Sequence, residues 1–282
     1  MSEGLLSGLE SFGLGGLEGM SLFEDEKKKQ LERAAAKAAE VPVLTEKDFL
    51  LDKTTTCPLC SCEFKARMVK GGKAKLVGTD MDLRPRYQEL DIVKYDVVSC
   101  PECGYTALSR YFPTLLQIQG KRIKEKISVN FRPKKEYPET FTYDEAIERY
   151  KLALVNSIVK GAKDSEKAYI CLKASWVVRG KADELGEGHA DYAKTKAVEA
   201  EFTKNAFEGF VSAVQKESFP MCGMDEITVD YLIAVLGMMT NHFDITQKMI
   251  ATILQSTNAN PRMKDRARDL KEELLKKMKA QG

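Results

Sequence analysis

The chain is poor in the groups that catalysis at neutral pH draws on. Its 282 residues include two histidines, His189 and His242, and one tryptophan. Each histidine lies beside an expected helix end, so structural or surface roles are expected and a Cys–His catalytic pair has no positional support. The patterns G-x-x-x-x-G-K-[S/T], G-x-G-x-x-G after a strand, and H-E-x-x-H do not occur. That removes the sequence grounds for a phosphate loop, a dinucleotide fold or a zinc protease. Long apolar runs are lacking as well. The best, Tyr231 to Met239, is far below the ~18–20 residues that span a bilayer, so no membrane span is expected. Residues 1–26 contain no Lys or Arg, which argues against a secretory signal.

Net charge is also small, at +2, but it is unevenly placed. Residues 1–52 hold eleven acidic and six basic side chains, whereas residues 53–135 hold seventeen basic and eight acidic ones. The chain is long enough for two domains.

What stands out is cysteine. Four of the seven cysteines form two identical patterns, Cys57-Pro58-Leu59-Cys60 and Cys100-Pro101-Glu102-Cys103. Two cysteines three apart on a tight turn aim both sulfurs at one ion. Proline fixes φ within such a turn, and a small residue after it, Ser61 or Gly104, tolerates a left-handed backbone. Two such knuckles supply four thiolates, the set that suits tetrahedral Zn²⁺. Cys57, Cys60, Cys100 and Cys103 are therefore the expected metal ligands. The competing reading is a pair of thiol-redox motifs, but redox C-x-x-C opens a helix whose N-terminus lowers the thiol pKa, and neither pair here does so. Thiolate metal sites persist in reducing compartments, so a cytoplasmic location is expected.

Residues 61–99 exceed the ~15–20 residues between the knuckles of a minimal four-cysteine site and must carry structure of their own. Phe64, Ala66 and Met68 alternate with Lys65 and Arg67, as on a half-buried strand. Gly71-Gly72 reads as a two-residue hairpin turn, with Lys73 to Val77 as the returning strand. Val93 to Val98 reads as a further strand. Knuckle, hairpin, strand, knuckle is the order of a zinc ribbon.

The knuckles, the stretch Asp80-Met81-Asp82-Leu83-Arg84-Pro85-Arg86-Tyr87, the strand Tyr95-Asp96-Val97 and the tail Cys103-Gly104-Tyr105-Thr106-Ala107 together resemble a bacterial family catalogued as domain of unknown function 2225. The resemblance covers roughly residues 50–280. It implies a metal-binding ribbon followed by helical repeats, and it implies no reaction.

The expected fold class is α+β, mainly α. Residues 1–52 are expected to form a disordered acidic-hydrophobic tail and helical linker, 53–135 a zinc ribbon with a trailing helix from Leu115 to Val129, and 136–282 a helical domain. Within the tail, residues 1–26 carry nine large apolar residues after Met1 among six glycines, so a segment that docks weakly on a basic surface or a partner is expected. In the helical domain, Ala146, Tyr150 and Ala153 recur as Ala206, Phe210 and Ala213. This small-aromatic-small spacing marks the second helix of a tetratricopeptide repeat. Tyr169, Leu172 and Trp176 suit a first repeat helix. Ile233, Leu236 and Gly237, followed by Met249 and Ile253, suggest a third unit.

Lys65, Arg67, Lys70, Lys73, Lys75, Arg84 and Arg86 form a candidate anion or partner patch. The hairpin lacks interleaved aromatics, so stacking on single-stranded bases is not expected. Asp80 and Asp82 are expected to make turn hydrogen bonds and ion pairs in an exposed loop. Cys62 is expected beside the metal site, Cys171 as a small buried residue, and Cys222 in a loop. The functional expectation is a non-enzymatic scaffold, with Zn²⁺ in the ribbon and a protein or peptide partner in the helical groove. A nucleic-acid binder using the basic hairpin is second and a thiol-dependent enzyme third. The sequence leaves the oligomeric state open.

Overall fold

The first knuckle does not precede a hairpin; it is the turn of one. Strand β1 (Leu50–Thr56) runs into Cys57 and pairs antiparallel with β2 (Glu63–Val69), Leu50 opposite Val69 and Thr56 opposite Glu63. The second knuckle repeats the arrangement between β5 (Val97–Ser99) and β6 (Thr106–Leu108), with Ser99 opposite Thr106. Between them, β3 (Leu76–Thr79) pairs with β4 (Pro85–Tyr87). In the computed structural model these features lie within the described residues, 44–133 and 138–281 together with Gly13 and Lys28.

Three expectations therefore change. β2 does not return through Gly71-Gly72 to residues 73–77. Its partner is residues 50–56, where Thr54, Thr55 and Thr56 supply β-branched side chains and the cysteine knuckle supplies the turn. Residues 45–52 are accordingly part of the folded unit, which spans 45–282, and not of the tail. The expected strand over 93–98 is a 3₁₀ turn at Ile92–Tyr95 followed by β5. The Asp91 carboxylate accepts from the Val93 N–H at 3.1 Å and starts that turn. Tertiary bonds then hold it: the Tyr95 hydroxyl donates to Glu46 at 2.6 Å and accepts from the Phe141 N–H at 3.0 Å. The docking segment of residues 1–26 and the helical linker of 24–40 lie outside the described residues, Gly13 and Lys28 apart.

The rest is helical. α1 (Gln117–Ile123) continues into a π-helical turn (Lys124–Ser128) and buries Ile123 and Ile127 against the knuckles, leaving Ile118 exposed. α2 (Tyr143–Lys160) opens on a capping box, in which the Thr142 hydroxyl accepts from the Glu145 N–H at 3.2 Å while Glu145 accepts from the Thr142 N–H at 2.8 Å. Then follow α3 (Asp164–Leu185), α4 (Tyr192–Lys216), α5 (Glu226–Met239), α6 (Phe243–Gln255) and α7 (Pro261–Gln281). Each packs on the next.

The small-aromatic-small positions lie in this packing. Ala146, Tyr150, Ala153, Ala206, Phe210 and Ala213 are all buried. Leu236 and Ile253 are buried too, whereas Met249 is only partly so. On α7, Ala267, Leu270 and Leu274 form the buried stripe, and Met278 at its end is exposed. Helices α3 and α4 approach closely because Gly209 faces Ala168; a Cβ at Gly209 would lie 2.8 Å from the Ala168 Cβ. Gly209→Ala is therefore expected to destabilise the protein by about 1–3 kcal/mol, the usual range for overpacking. Ala168→Gly in the same chain should recover much of the loss. Urea unfolding of the single and double variants checks this, and additive losses would contradict the contact.

One apolar cluster joins both parts of the unit. Val93, Val97 and Leu108 from the hairpin region pack with Tyr150, Trp176, Phe210 and Ile233 from the helices. The boundary expected at 135/136 falls inside this unit, so the two segments share a core across it.

Candidate metal centre

Both knuckles are built by the same three backbone features. In the first, the Cys57 N–H donates to the Cys62 carbonyl at 2.9 Å, the Ser61 N–H donates to the Cys57 carbonyl at 2.9 Å, and Ser61 has φ 62°. In the second, Cys100 donates to Tyr105 at 2.8 Å, Gly104 donates to Cys100 at 3.2 Å, and Gly104 has φ 71°. At Gly104 the left-handed backbone coincides with a tight contact, since a Cβ there would meet the Phe131 ring at 2.5 Å. The Leu59 N–H points at the Cys57 sulfur at 3.4 Å.

Facing each other, the knuckles bring four sulfurs together. Cys57 Sγ lies 3.6 Å from Cys103 Sγ, and Cys60 Sγ lies 3.6 Å from Cys100 Sγ. All four sulfurs fall within 4.8 Å of one another. A tetrahedron with Zn–S bonds of about 2.3 Å has S···S edges of about 3.8 Å, so this donor set fits such an ion. The separations are far beyond an S–S bond of about 2.05 Å, and all seven cysteines are free.

Cys57, Cys100 and Cys103 are buried, and Cys60 is exposed. Crowding drives the thiols apart in acidity. Hydrogen bonds from Cys103 and Cys57 hold Cys100 below the usual thiol range. Cys57 is pushed up by its hydrogen bond to Cys100, and Cys103 is raised by Cys100 and Cys57. A divalent cation in place of the shared protons would relieve this crowding.

The remaining cysteines stand apart. Cys62 Sγ is directed at the Glu63 carbonyl at 3.5 Å and is not one of the four. Burial pushes the Cys171 thiol up to about 12, as expected for a small core residue. Cys222 is buried, donating to the Ser165 carbonyl at 3.2 Å, and the Arg110 guanidinium donates to its carbonyl.

The basic residues have different partners. Lys65 donates to the Thr54 hydroxyl at 2.9 Å, and Arg67 pairs with Asp52 at 2.5 Å. Lys70 donates to the Asp48 carbonyl at 2.9 Å. Lys73 and Lys75 are exposed in the turn before β3. Arg84 and Arg86 are drawn toward the helices. Arg84 is buried and pairs with Asp91 at 2.7 Å; Arg86 pairs with Asp80 at 2.8 Å and with Asp183 of α3 at 2.7 Å.

Asp80 and Asp82 do form ion pairs, but not in an exposed loop. Asp82 is 2 % exposed, accepting from Trp176 Nε1 at 2.9 Å and from Arg179 Nη2 at 2.6 Å. Arg179 also reaches Asp80 at 3.2 Å and the buried Glu199 of α4 at 2.7 Å. Burial works against the Arg179 charge, but Asp82 and Glu199 hold its pKa well above the usual value. This network pins the loop between β3 and β4 to α3 and α4. Arg179 and Trp176 lie 97 and 94 positions away from Asp82, so only the cluster of two acids and two bases over 80–86 hinted at it.

No curated protein and no solved structure matches the chain. A family model described as an uncharacterised protein conserved in bacteria, domain of unknown function 2225, matches residues 50–274. The cysteine knuckles, the loop between β3 and β4 and helices α1 to α6 all fall within that match, and the chain belongs to this family.

Proposed function

We propose that the protein is a non-enzymatic interaction protein, in which a zinc ribbon stabilises one end of a tetratricopeptide-like helical array that binds a protein or peptide. The observation that carries this reading is the closed donor set. Four converging sulfurs fill a tetrahedral shell and leave no position for water or substrate, which suits a structural Zn²⁺. The hairpin setting of both pairs supports metal over redox chemistry, because neither cysteine pair sits at a helix N-terminus. A thiolate site of this kind fits the cytoplasm.

The candidate seat for the partner is a cavity of about 550 Å³. Lys196, Glu199, Thr203 and Lys204 of α4 line one wall, and Thr240 and His242 at the α5–α6 corner line the other. His242 stacks on Phe207 at 4.5 Å, and its Nδ1 lies 2.9 Å from the Thr240 hydroxyl. Ala200 also lines the cavity, so Ala200→Trp would fill it. Affinity capture from the native cell should lose its partner with Ala200→Trp while zinc content stays unchanged. A partner retained equally by both proteins would contradict the groove.

A nucleic-acid role draws on the exposed Lys65, Lys73 and Lys75. With Arg84 and Arg86 committed to ion pairs, weak, non-specific binding that falls steeply with salt is the expected result. Tight, sequence-selective binding in a filter or anisotropy assay at physiological salt would reverse the ranking.

A further inference from the structure

Four bases crowd the stretch after the second knuckle: Lys121, Arg122, Lys124 and Lys126, with Glu125 as the one acid among them. All five side chains are exposed on α1 and its π-helical turn. Among the described residues, Lys121, Lys124 and Lys126 form no ion pair. Arg122 donates to a neutral group, the Lys160 carbonyl at the end of α2, at 3.3 Å. These charges are left for water or for an anion from outside.

Large aliphatic side chains stand among the bases. Leu116, Ile118 and Val129 are 61, 57 and 71 % exposed. Ile118 lies three and four positions before Lys121 and Arg122, hence on the same helix face. α1 packs on α2, whose last two turns add the exposed Val155 and Ile158. Single exposed aliphatics are ordinary on any protein. Five of them on two neighbouring elements, three interleaved with unpaired lysines, match the composition of a surface that meets lipid.

Shape and composition select the occupant. A side chain that lines a groove is walled in by its neighbours, whereas these project into solvent, as contact with a flat surface requires. Residues 114–130 contain no aromatic side chain, so nothing there would stack on nucleic-acid bases. We propose that the exposed face of α1, with the C-terminal end of α2, docks on the surface of an anionic lipid bilayer. Leu116, Ile118 and Val129 enter the boundary between headgroups and acyl chains. The lysine stems lie along them and carry the ammonium groups to the lipid phosphates and carboxylates. The excess of bases over the single acid supplies the attraction to a negatively charged leaflet. None of these residues lines the helical cavity, which stays free for a partner.

The full-length protein is sedimented with vesicles of phosphatidylcholine alone, and with vesicles in which part of it is replaced by phosphatidylserine. Only the mixed vesicles should carry the protein down, and the bound fraction should fall steeply with salt. Lys121→Glu/Lys124→Glu should weaken binding about ten-fold or more, because each base near an anionic leaflet adds to the attraction. The same charge change on α7, Lys271→Glu/Lys279→Glu, should leave it unaltered. Ile118→Ser keeps every charge and should still weaken binding several-fold, since an inserted aliphatic is lost. Urea midpoints should match the parent's, because all these side chains are exposed. Ile118→Trp should shift its emission to the blue on mixed vesicles, over a constant background from the buried Trp176. Equal sedimentation with neutral vesicles, undiminished binding of Ile118→Ser, an unshifted Ile118→Trp emission, or an equal loss from the α7 variant would each overturn the proposal. Polyglutamate bound as tightly as the mixed vesicles would point to an acidic protein partner and overturn it as well. Ala200→Trp should bind the mixed vesicles as the parent does, so failure of the helical-groove reading leaves this outcome distinct.

Discussion

Purified protein should carry about one zinc per chain, the stoichiometry of a closed four-thiolate site, and Cys57→Ser/Cys100→Ser should carry none. This is the largest effect expected for any pair of substitutions. Structural zinc contributes on the order of 10 kcal/mol to the fold it organises, comparable with the whole stability of a typical domain. The knuckles cannot rely on strand pairing alone, since the two cysteine-closed hairpins are separate two-stranded sheets. The loss should also spread. Tyr150 of α2 donates to the Val93 carbonyl at 2.9 Å, and Asn156 of α2 donates to the Gly104 carbonyl at 3.1 Å. Hydrogen exchange in the double variant should therefore rise in β1, β2, β5 and β6 and reach α2, with α6 and α7 least affected. Cys62→Ser should retain the metal, because that sulfur faces a carbonyl. Elemental analysis decides the matter: full zinc retention in the double variant would refute the ligand assignment.

The second largest effect is expected at Arg179. Arg179→Met removes the cation from a site where Asp82 and Glu199 are both buried. Breaking a buried ion pair by deleting one partner costs about 3–5 kcal/mol, because the abandoned charge stays in a poor solvent. The urea midpoint should fall accordingly with little change in slope, and zinc should remain near one equivalent. Adding Asp82→Asn to Arg179→Met should recover part of the loss by removing one of the stranded charges. A cost below about 1 kcal/mol for Arg179→Met would show that the network behaves like an exposed pair and does not pin the loop.

The two predictions draw on different kinds of legibility. The two cysteine turns of the candidate metal site were readable because their geometry is local. Two cysteines three apart, a proline between them and a small residue after them specify a turn whatever the rest of the chain does. The helical segments were readable for a similar reason. Ala146, Tyr150 and Ala153 share one face through the helix's own periodicity, and so do Ala206, Phe210 and Ala213. These residues are buried where that periodicity places them.

Strand partners were a different matter. β2 was recognised from its alternation, yet alternation gives no information about which strand lies alongside. Gly71-Gly72 offered a local turn, but the chain uses the first cysteine knuckle as the turn and pairs β2 with residues 50–56. Val93 to Val98 alternates as a strand would, but the Asp91 cap and the bonds of Tyr95 to Glu46 and Phe141 curl its first half into a 3₁₀ turn. The sequence by itself determined the two cysteine turns, the helical faces and the mainly helical class, because each depends on residues within a few positions of one another. Only the tertiary structure decided that Asp82, Trp176, Arg179 and Glu199 meet, that Arg84 is buried, and that hairpins and helices share a core. The contacts of Asp82 with Trp176 and Arg179 join residues about a hundred positions apart, and their energy comes from a burial that no short stretch of sequence contains.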